Sequence, residues 1–218
     1  MKNERKIELE MFTMEILEKY SISENPPKHL REIAEGEHIA VLPHEGWEPE
    51  MCGKIMYING DPVIFYNANH TERMINFTIA HELGHFYLKH LEDQKTEIIC
   101  MERDLQKIDD LKDKQEVEAN FFAACLLMPF SLLQPAFEAF MKWNDRSNGV
   151  LYVDKQSCNL RDYKCCIQRM QLYFDVSQTA IRYRLINLGW MEFNIKFESN
   201  QDNGISLANY LEHHKKSN

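Results

Sequence analysis

The chain has 218 residues, 44% of them hydrophobic and 27% charged, which fits one globular domain, or one domain with a small appendage. The net charge of −9 repels phosphate backbones, and no apolar run approaches the roughly 20 residues of a membrane span. The charged N-terminus lacks the apolar segment of a secretory signal, and the six scattered cysteines contain no C-x-x-C pair. These features exclude membrane and secreted proteins, and we expect a cytoplasmic protein with reduced thiols.

The first half of the chain alternates helical and extended patterns. Its elements are predicted from apolar periodicity and from Gly, Pro and Asn breaks. In order, they are helices over 4–19 and 29–35, a strand over 39–42, hairpin strands over 54–58 and 63–66, and a helix over 72–91. The hairpin prediction rests on the turn Asn59-Gly60-Asp61-Pro62 between two β-rich runs.

The second half is predicted to be mainly helical. A polar stretch, 92–112, precedes it, and Trp143 to Gly149 is the best candidate for a linker. Its predicted helices cover 114–127, which ends at Met128-Pro129, then 130–142, 160–172, and 178–188, which ends at Gly189. The last residues, 213–218, are expected to be frayed.

The most informative residues are His81-Glu82-Leu83-Gly84-His85, an H-E-x-x-H motif on a predicted helix. Residues four apart lie about 40° apart around a helix and about 6 Å apart along it, so both imidazoles can bind one zinc ion. Glu82 lies about 100° away, where it can reach a water molecule on the metal. The motif alone also occurs by chance. However, Phe77 and Leu88 flank the histidine face and predict its burial, and unpaired buried histidines would cost about 1–3 kcal/mol each.

A third ligand is expected from the helix over 114–127, which carries Glu116 and Glu118. They lie about 200° apart around the axis, so only one can face the metal. We favour Glu116, because the residues on its side are mostly small and let two helices approach closely; they are Ala119, Asn120, Ala123, Ala124 and Leu127. Asn120 is predicted to accept a hydrogen bond from the second nitrogen of a ligand histidine. The alternative is that Glu116 is a surface carboxylate on an amphipathic helix.

Three stretches together resemble a known family. They are NFTIAHELGHFYLKH (76–90), EVEANFFAACLLMP (116–129) and FDVSQTAIRYRLINLGW (174–190). In this order they are similar to motifs of the ImmA/IrrE family of intracellular zinc metallopeptidases, whose ligand scheme is HExxH…ExxxN/D. With the hairpin, the resemblance covers most of residues 40–190.

The resemblance implies a fold, a site and a substrate class. The fold is α+β: a zincin-like metallopeptidase core over 1–145, with an N-terminal helix, a small twisted sheet with its hairpin, the HExxH helix and the glutamate-bearing helix. A mainly helical C-terminal region follows over 146–218, with a helix-turn-helix-like part at 160–190. The ligands of Zn²⁺ would be His81, His85 and Glu116, and Glu82 would be the general base. Family members cleave helix-turn-helix repressors, so a protein of that kind is the expected substrate.

Two features of the active site are left open by the motifs. The residue that stabilises the oxyanion has no motif-level match; Tyr66, Tyr87, His70 and His90 are the candidates, each with a structural role as its alternative. Strand 63–66 is a candidate edge on which an extended substrate would pair by main-chain hydrogen bonds.

The C-terminal helices also allow two interpretations. A DNA-binding helix-turn-helix would point Arg182 and Arg184 at the duplex. A packing or docking element would instead bury its apolar positions, which are Val176, Ala180, Leu185 and Leu188. We favour packing, because basic residues are few and the chain is acidic, so direct nucleic-acid binding is not expected.

The alternative to a peptidase is a non-catalytic, zinc-stabilised module that binds a repressor or an antitoxin. A pure scaffold would not need Glu82, which argues for the enzyme. A third hypothesis, a toxin-like enzyme controlled by a partner protein, is not distinguished from these by the sequence.

Overall fold

The computed structural model of the protein describes residues 1–91, 97–105, 113–146 and 149–193. It has the predicted α+β fold. The helices are α1 (Asn3–Lys19), a 3₁₀ turn (Pro26–His29), α2 (Leu30–Gly36), α3 (Glu72–Tyr87), α4 (Lys114–Leu127), α5 (Phe130–Trp143), α6 (Ser157–Phe174) and α7 (Gln178–Asn187). The strands are β1 (Ala40–His44), β2 (Met51–Ile58), β3 (Asp61–Asn67), β4 (Glu97–Met101), β5 (Leu151–Val153) and β6 (Met191–Phe193).

The larger sheet has the strand order β1-β3-β2-β4. The predicted hairpin is confirmed as β2 and β3, which pair antiparallel from Ile58↔Asp61 to Gly53↔Tyr66. Its turn places Asn59 and Gly60 at φ of 54° and 95°, the left-handed conformations that a tight two-residue hairpin turn requires. Strand β1 runs parallel to β3, and β4 runs antiparallel to β2.

This strand order corrects two predictions. Segment 63–66 is not an edge, because β3 lies between β1 and β2 and both of its sides are paired. The proposed substrate-binding edge at 63–66 is therefore wrong. The polar stretch 92–112, for which no strand was predicted, contains β4, and β4 is an edge of the described sheet.

Helix α4 lies at the centre of the molecule. Every residue from Ala119 to Met128 is buried, and the helix packs against α1, α3 and α7. Its contact with α3 is close at Gly84, where an added Cβ would lie 3.2 Å from Cα of Ala119. The helix ends at Leu127 as predicted, because the proline at 129 disfavours helical backbone at Met128.

Helix α7 packs against α4 and α6, and α6 also packs against α5 and β5. Ser177 caps the N-terminus of helix α7, because its hydroxyl accepts a hydrogen bond from the amide of Ala180 at 3.1 Å. Buried residues on both sides of the predicted boundary at 145/146 belong to one hydrophobic cluster. The division of the chain at that boundary stays a prediction, and residues 213–218 lie outside the described part.

Arg184 is fully buried, so the suggestion that it points outward at DNA is wrong. Its Nε donates to the carbonyl of Met128 at 3.1 Å, one terminal nitrogen contacts Sγ of Cys125 at 3.2 Å, and the other pairs with Glu10 of α1. Arg182 donates to the hydroxyls of neighbouring side chains in α6 and α7. Val176, Ala180 and Leu185 are buried and Leu188 packs against the core, as the packing interpretation expected.

Among the described residues, no single helix has both the length and the apolar composition to cross a membrane; α4 and α5 meet these two criteria only when taken as one pair, bent by 69°.

Candidate metal centre

Helices α3 and α4 bring three donor side chains together. His81 and His85 project from one face of α3, and Glu116 projects from the first turn of α4. The two Nε2 atoms lie 2.9 Å apart. The carboxylate oxygens of Glu116 lie 3.2 Å from Nε2 of His81 and 3.4 Å from Nε2 of His85. Both imidazoles are fully buried, and Glu116 is 8% exposed.

These three residues fit a divalent metal ion. Bonds of about 2.0–2.1 Å in tetrahedral geometry place neighbouring ligand atoms roughly 3.3 Å apart, close to the three observed separations. Burial alone would raise the pKa of Glu116, but the contacts with His81 and His85 outweigh it and hold that pKa well below its usual range. Oε2 of Glu116 is buried and has no hydrogen-bond partner within the described part of the chain, so a bound cation would satisfy it.

The second nitrogen of His81 is held by Asn120. Oδ1 of Asn120 lies 2.9 Å from Nδ1 of His81, and its Nδ2 donates to the carbonyl of Asp104 at 2.7 Å. This donation fixes which end of the amide faces the ring. Because the amide oxygen only accepts, Nδ1 of His81 carries the proton, and the lone pair of Nε2 points at the other two ligands.

Glu118 lies two residues from Glu116 and faces elsewhere. One of its oxygens pairs with the guanidinium of Arg5 in α1 at 2.6 Å. The same oxygen, Oε2, lies 4.0 Å from Nε2 of His90. The structure thus turns Glu116, and not Glu118, towards the two histidines.

Glu82 lies beside the three ligands and is fully buried. Neither of its carboxylate oxygens has a hydrogen-bond partner among the described residues. Burial, followed by the charge of Glu116, raises the pKa of Glu82 well above its ordinary value. A buried carboxylate left without partners costs free energy that a packing role would not explain, whereas a base that removes a proton must keep its lone pairs free.

Strands β2 and β4 form the wall next to Glu82. An added Cβ at Gly53 would lie 2.5 Å from Cγ2 of Thr78 and 3.4 Å from Oε1 of Glu82, so glycine allows β2 to approach the carboxylate. Sγ of Cys100 lies within 4.8 Å of donor atoms of His81 and Glu82. The sequence analysis did not identify Gly53, because the predicted strand began at residue 54 and a glycine signals a close approach only when it lies inside a strand. No pattern pointed to Cys100.

The four candidates for oxyanion stabilisation have different partners. The hydroxyl of Tyr66 accepts from Arg31, and that of Tyr87 donates to Glu37. Nε2 of His70 lies 2.7 Å from a backbone carbonyl. Only His90, among these four, is recorded in hydrogen-bond contact with a metal-ligand candidate: its Nδ1 lies 3.0 Å from Nδ1 of His85.

The family model of the IrrE N-terminal-like domain, Peptidase_M78, matches residues 44–185, more than half of the chain and including His81, His85 and Glu116. No curated protein matches the sequence.

Proposed function

The chain belongs to the peptidase family of the IrrE N-terminal-like domain, and we propose that it is a zinc-dependent endopeptidase that cleaves a helix-turn-helix transcriptional repressor inside the cell. The observation that carries the proposal is the buried carboxylate of Glu82, which has no hydrogen-bond partner in the described ranges and lies beside the cluster of His81, His85 and Glu116. A metal-stabilised scaffold would have no use for that carboxylate.

Zinc is the metal we propose, with His81, His85 and Glu116 as its ligands. Two neutral imidazoles and one carboxylate are a donor set of catalytic zinc sites, which keep a fourth position open. When bound, zinc supplies a Lewis acid that polarises the scissile carbonyl and lowers the pKa of water. Asn120 keeps His81 in the tautomer that this coordination needs.

Glu82 moves the proton in the proposed reaction. Its carboxylate accepts a proton from the attacking water and donates it to the nitrogen of the departing amine. Burial is the largest cause of the raised pKa of Glu82, and the raised value suits the second transfer because a carboxylate of ordinary acidity would hold the proton too weakly to deliver it. The close approach of β2 at Gly53 limits the space around Oε1 and helps hold the carboxylate in place.

We propose that the substrate pairs with β4. In the described part of the sheet, β4 pairs with β2 on one side and with no strand on the other. It carries Cys100, whose side chain lies next to Glu82, so an extended peptide on this edge would pass the base. Main-chain hydrogen bonds would hold the peptide independently of its sequence.

The proposal is tested by incubating the zinc-loaded protein with a candidate helix-turn-helix repressor, taken first from the neighbouring genes, and scoring fragments by intact mass. Fragments are expected with the parent protein and not with Glu82→Gln or after chelation. A stable complex without fragments would contradict the peptidase and favour the alternative, a module that binds and sequesters the repressor.

A further inference from the structure

His85 contacts a second histidine through the nitrogen that does not face the ligand cluster. Nδ1 of His90 lies 3.0 Å from Nδ1 of His85, and the two rings meet edge to face with centroids 5.0 Å apart. Helix α3 ends at Tyr87, and Lys89 has a left-handed backbone conformation with φ of 59°. This turn lets the amide of His90 donate to the carbonyl of His85 at 3.0 Å, which brings the chain back beneath the metal ligand.

The contact between the two rings defines both tautomers. One Nδ1 must donate and the other must accept. If Nε2 of His85 presents its lone pair to a metal, the ring proton of His85 is on Nδ1, and Nδ1 of His90 is the acceptor. The proton of neutral His90 is then on Nε2, which lies 4.0 Å from Oε2 of Glu118.

Glu118 is itself held in place from α1. Its Oε2 pairs with the guanidinium of Arg5 at 2.6 Å. Arg5 precedes the segment 44–185 that matches the family, so the N-terminal helix of this chain supports the base of the site. The series Arg5, Glu118, His90 and His85 runs from the partly exposed edge of α1 to the fully buried imidazole.

We propose that His90 is a positioning residue, which accepts the Nδ1–H of His85 and so fixes the tautomer and ring orientation of that metal ligand. The inference rests on the proposed metal centre and adds to it a residue that touches neither metal nor substrate. Asn120 performs the same task for His81, so each of the two imidazoles has its own acceptor.

Three substitutions at one position test this role. Asn places an acceptor at the same distance from Cβ as Nδ1 of histidine, Gln places it one bond further, and Leu has none. The dissociation constant for Zn²⁺ is measured by chelator competition. We expect His90→Leu and His90→Gln to weaken binding about 10- to 100-fold, and His90→Asn to stay within about threefold of the parent protein.

A second readout separates tautomer control from general loosening of the fold. In zinc-loaded protein with ¹⁵N-labelled histidine, the Nδ1–H proton of His85 should give a protected low-field NMR signal that is lost in His90→Leu and kept in His90→Asn. Thermal unfolding of each metal-free variant checks its fold. If His90→Leu does not fold, the comparison of His90→Asn with His90→Gln decides.

Equal zinc affinity in all variants, with a parent protein that binds tightly, would overturn the role of His90 and leave the proposed peptidase intact. A parent protein that does not bind zinc, or whose affinity is unaffected by His81→Ala, would overturn the metal centre itself. The two failures are therefore distinguishable without measuring hydrolysis.

Discussion

Glu116→Ala and Glu118→Ala form a matched pair on helix α4. The first removes a carboxylate that lies 3.2 and 3.4 Å from two imidazoles, and the second removes one that pairs with Arg5. Zinc that binds only the folded state stabilises it by about 2.7 kcal/mol when free zinc is at 100 times the dissociation constant. For a chain of this size, that corresponds to a rise in melting temperature of about 5–11 °C.

The structure gives different expectations for the two variants. Complete zinc sites contribute roughly 10–16 kcal/mol, so the loss of one ligand in three costs roughly 3–5 kcal/mol, or about 150- to 5,000-fold in affinity. At the same free zinc, Glu116→Ala would then gain less than about 0.4 kcal/mol, which is under about 2 °C. Glu118→Ala should keep most of the shift, because its carboxylate contacts none of the three ligands and reaches the site only through its 4.0 Å contact with Nε2 of His90.

The assay is thermal unfolding with and without a zinc buffer at fixed free zinc. Both variants keep every histidine and cysteine, so zinc binding to the unfolded chain is the same and cancels in the comparison. Loss of the shift in Glu118→Ala, with the shift retained in Glu116→Ala, would refute the assignment of the helix face.

Three further substitutions test the general base, the close approach of β2 to it, and the buried ion pair between α7 and α1. Glu82→Gln should keep the zinc-induced thermal shift and lower the rate of hydrolysis about 10²- to 10⁴-fold; a steady-state rate equal to that of the parent protein would contradict its role as the base. Gly53→Ala puts a Cβ 2.8 Å from the carbonyl oxygen of Phe65 and should lower the free energy of unfolding, measured in urea, by about 1–3 kcal/mol. An unchanged urea concentration at the midpoint of unfolding would refute the close approach of β2. Arg184→Met leaves Glu10 without its cation and should cost about 3 kcal/mol, at the low end for a buried pair because Glu10 is partly exposed; a loss below about 1 kcal/mol would show that the pair is unimportant.

Local signals were enough to predict most elements. Helix 114–127 has the predicted bounds, because its apolar content and the following proline are both readable within a few residues. The hairpin was predicted equally well, since an Asn-Gly pair between two β-rich runs acts over only four residues. The motif and the helix-face argument likewise selected the three side chains that the structure brings together.

Long-range pairing explains what the sequence did not predict. Strand β4 is short and lies in a polar stretch, and it exists because β2 offers a partner more than 40 residues earlier in the chain. Segment 63–66 was taken for an edge because strand order cannot be read from local patterns. The burial of Arg184 depends on its pairing with Glu10, which lies 174 residues earlier in the chain and which no local pattern indicates.

The role inferred for His90 was missed for a different reason. A spacing of five residues from His85 does not fall on the same helix face, so helical periodicity gives no hint of a contact. The contact forms only because α3 has ended and Lys89 adopts a left-handed conformation, which a lysine seldom does.

Anomalous diffraction at the zinc absorption edge, from crystals of the zinc-loaded protein, tests the central claim most directly. A single peak is expected between α3 and α4, about 2.0–2.1 Å from Nε2 of His81 and of His85 and from a carboxylate oxygen of Glu116. A peak bound elsewhere, for example at Cys100 without Glu116, or no peak between the two imidazoles, would contradict the account.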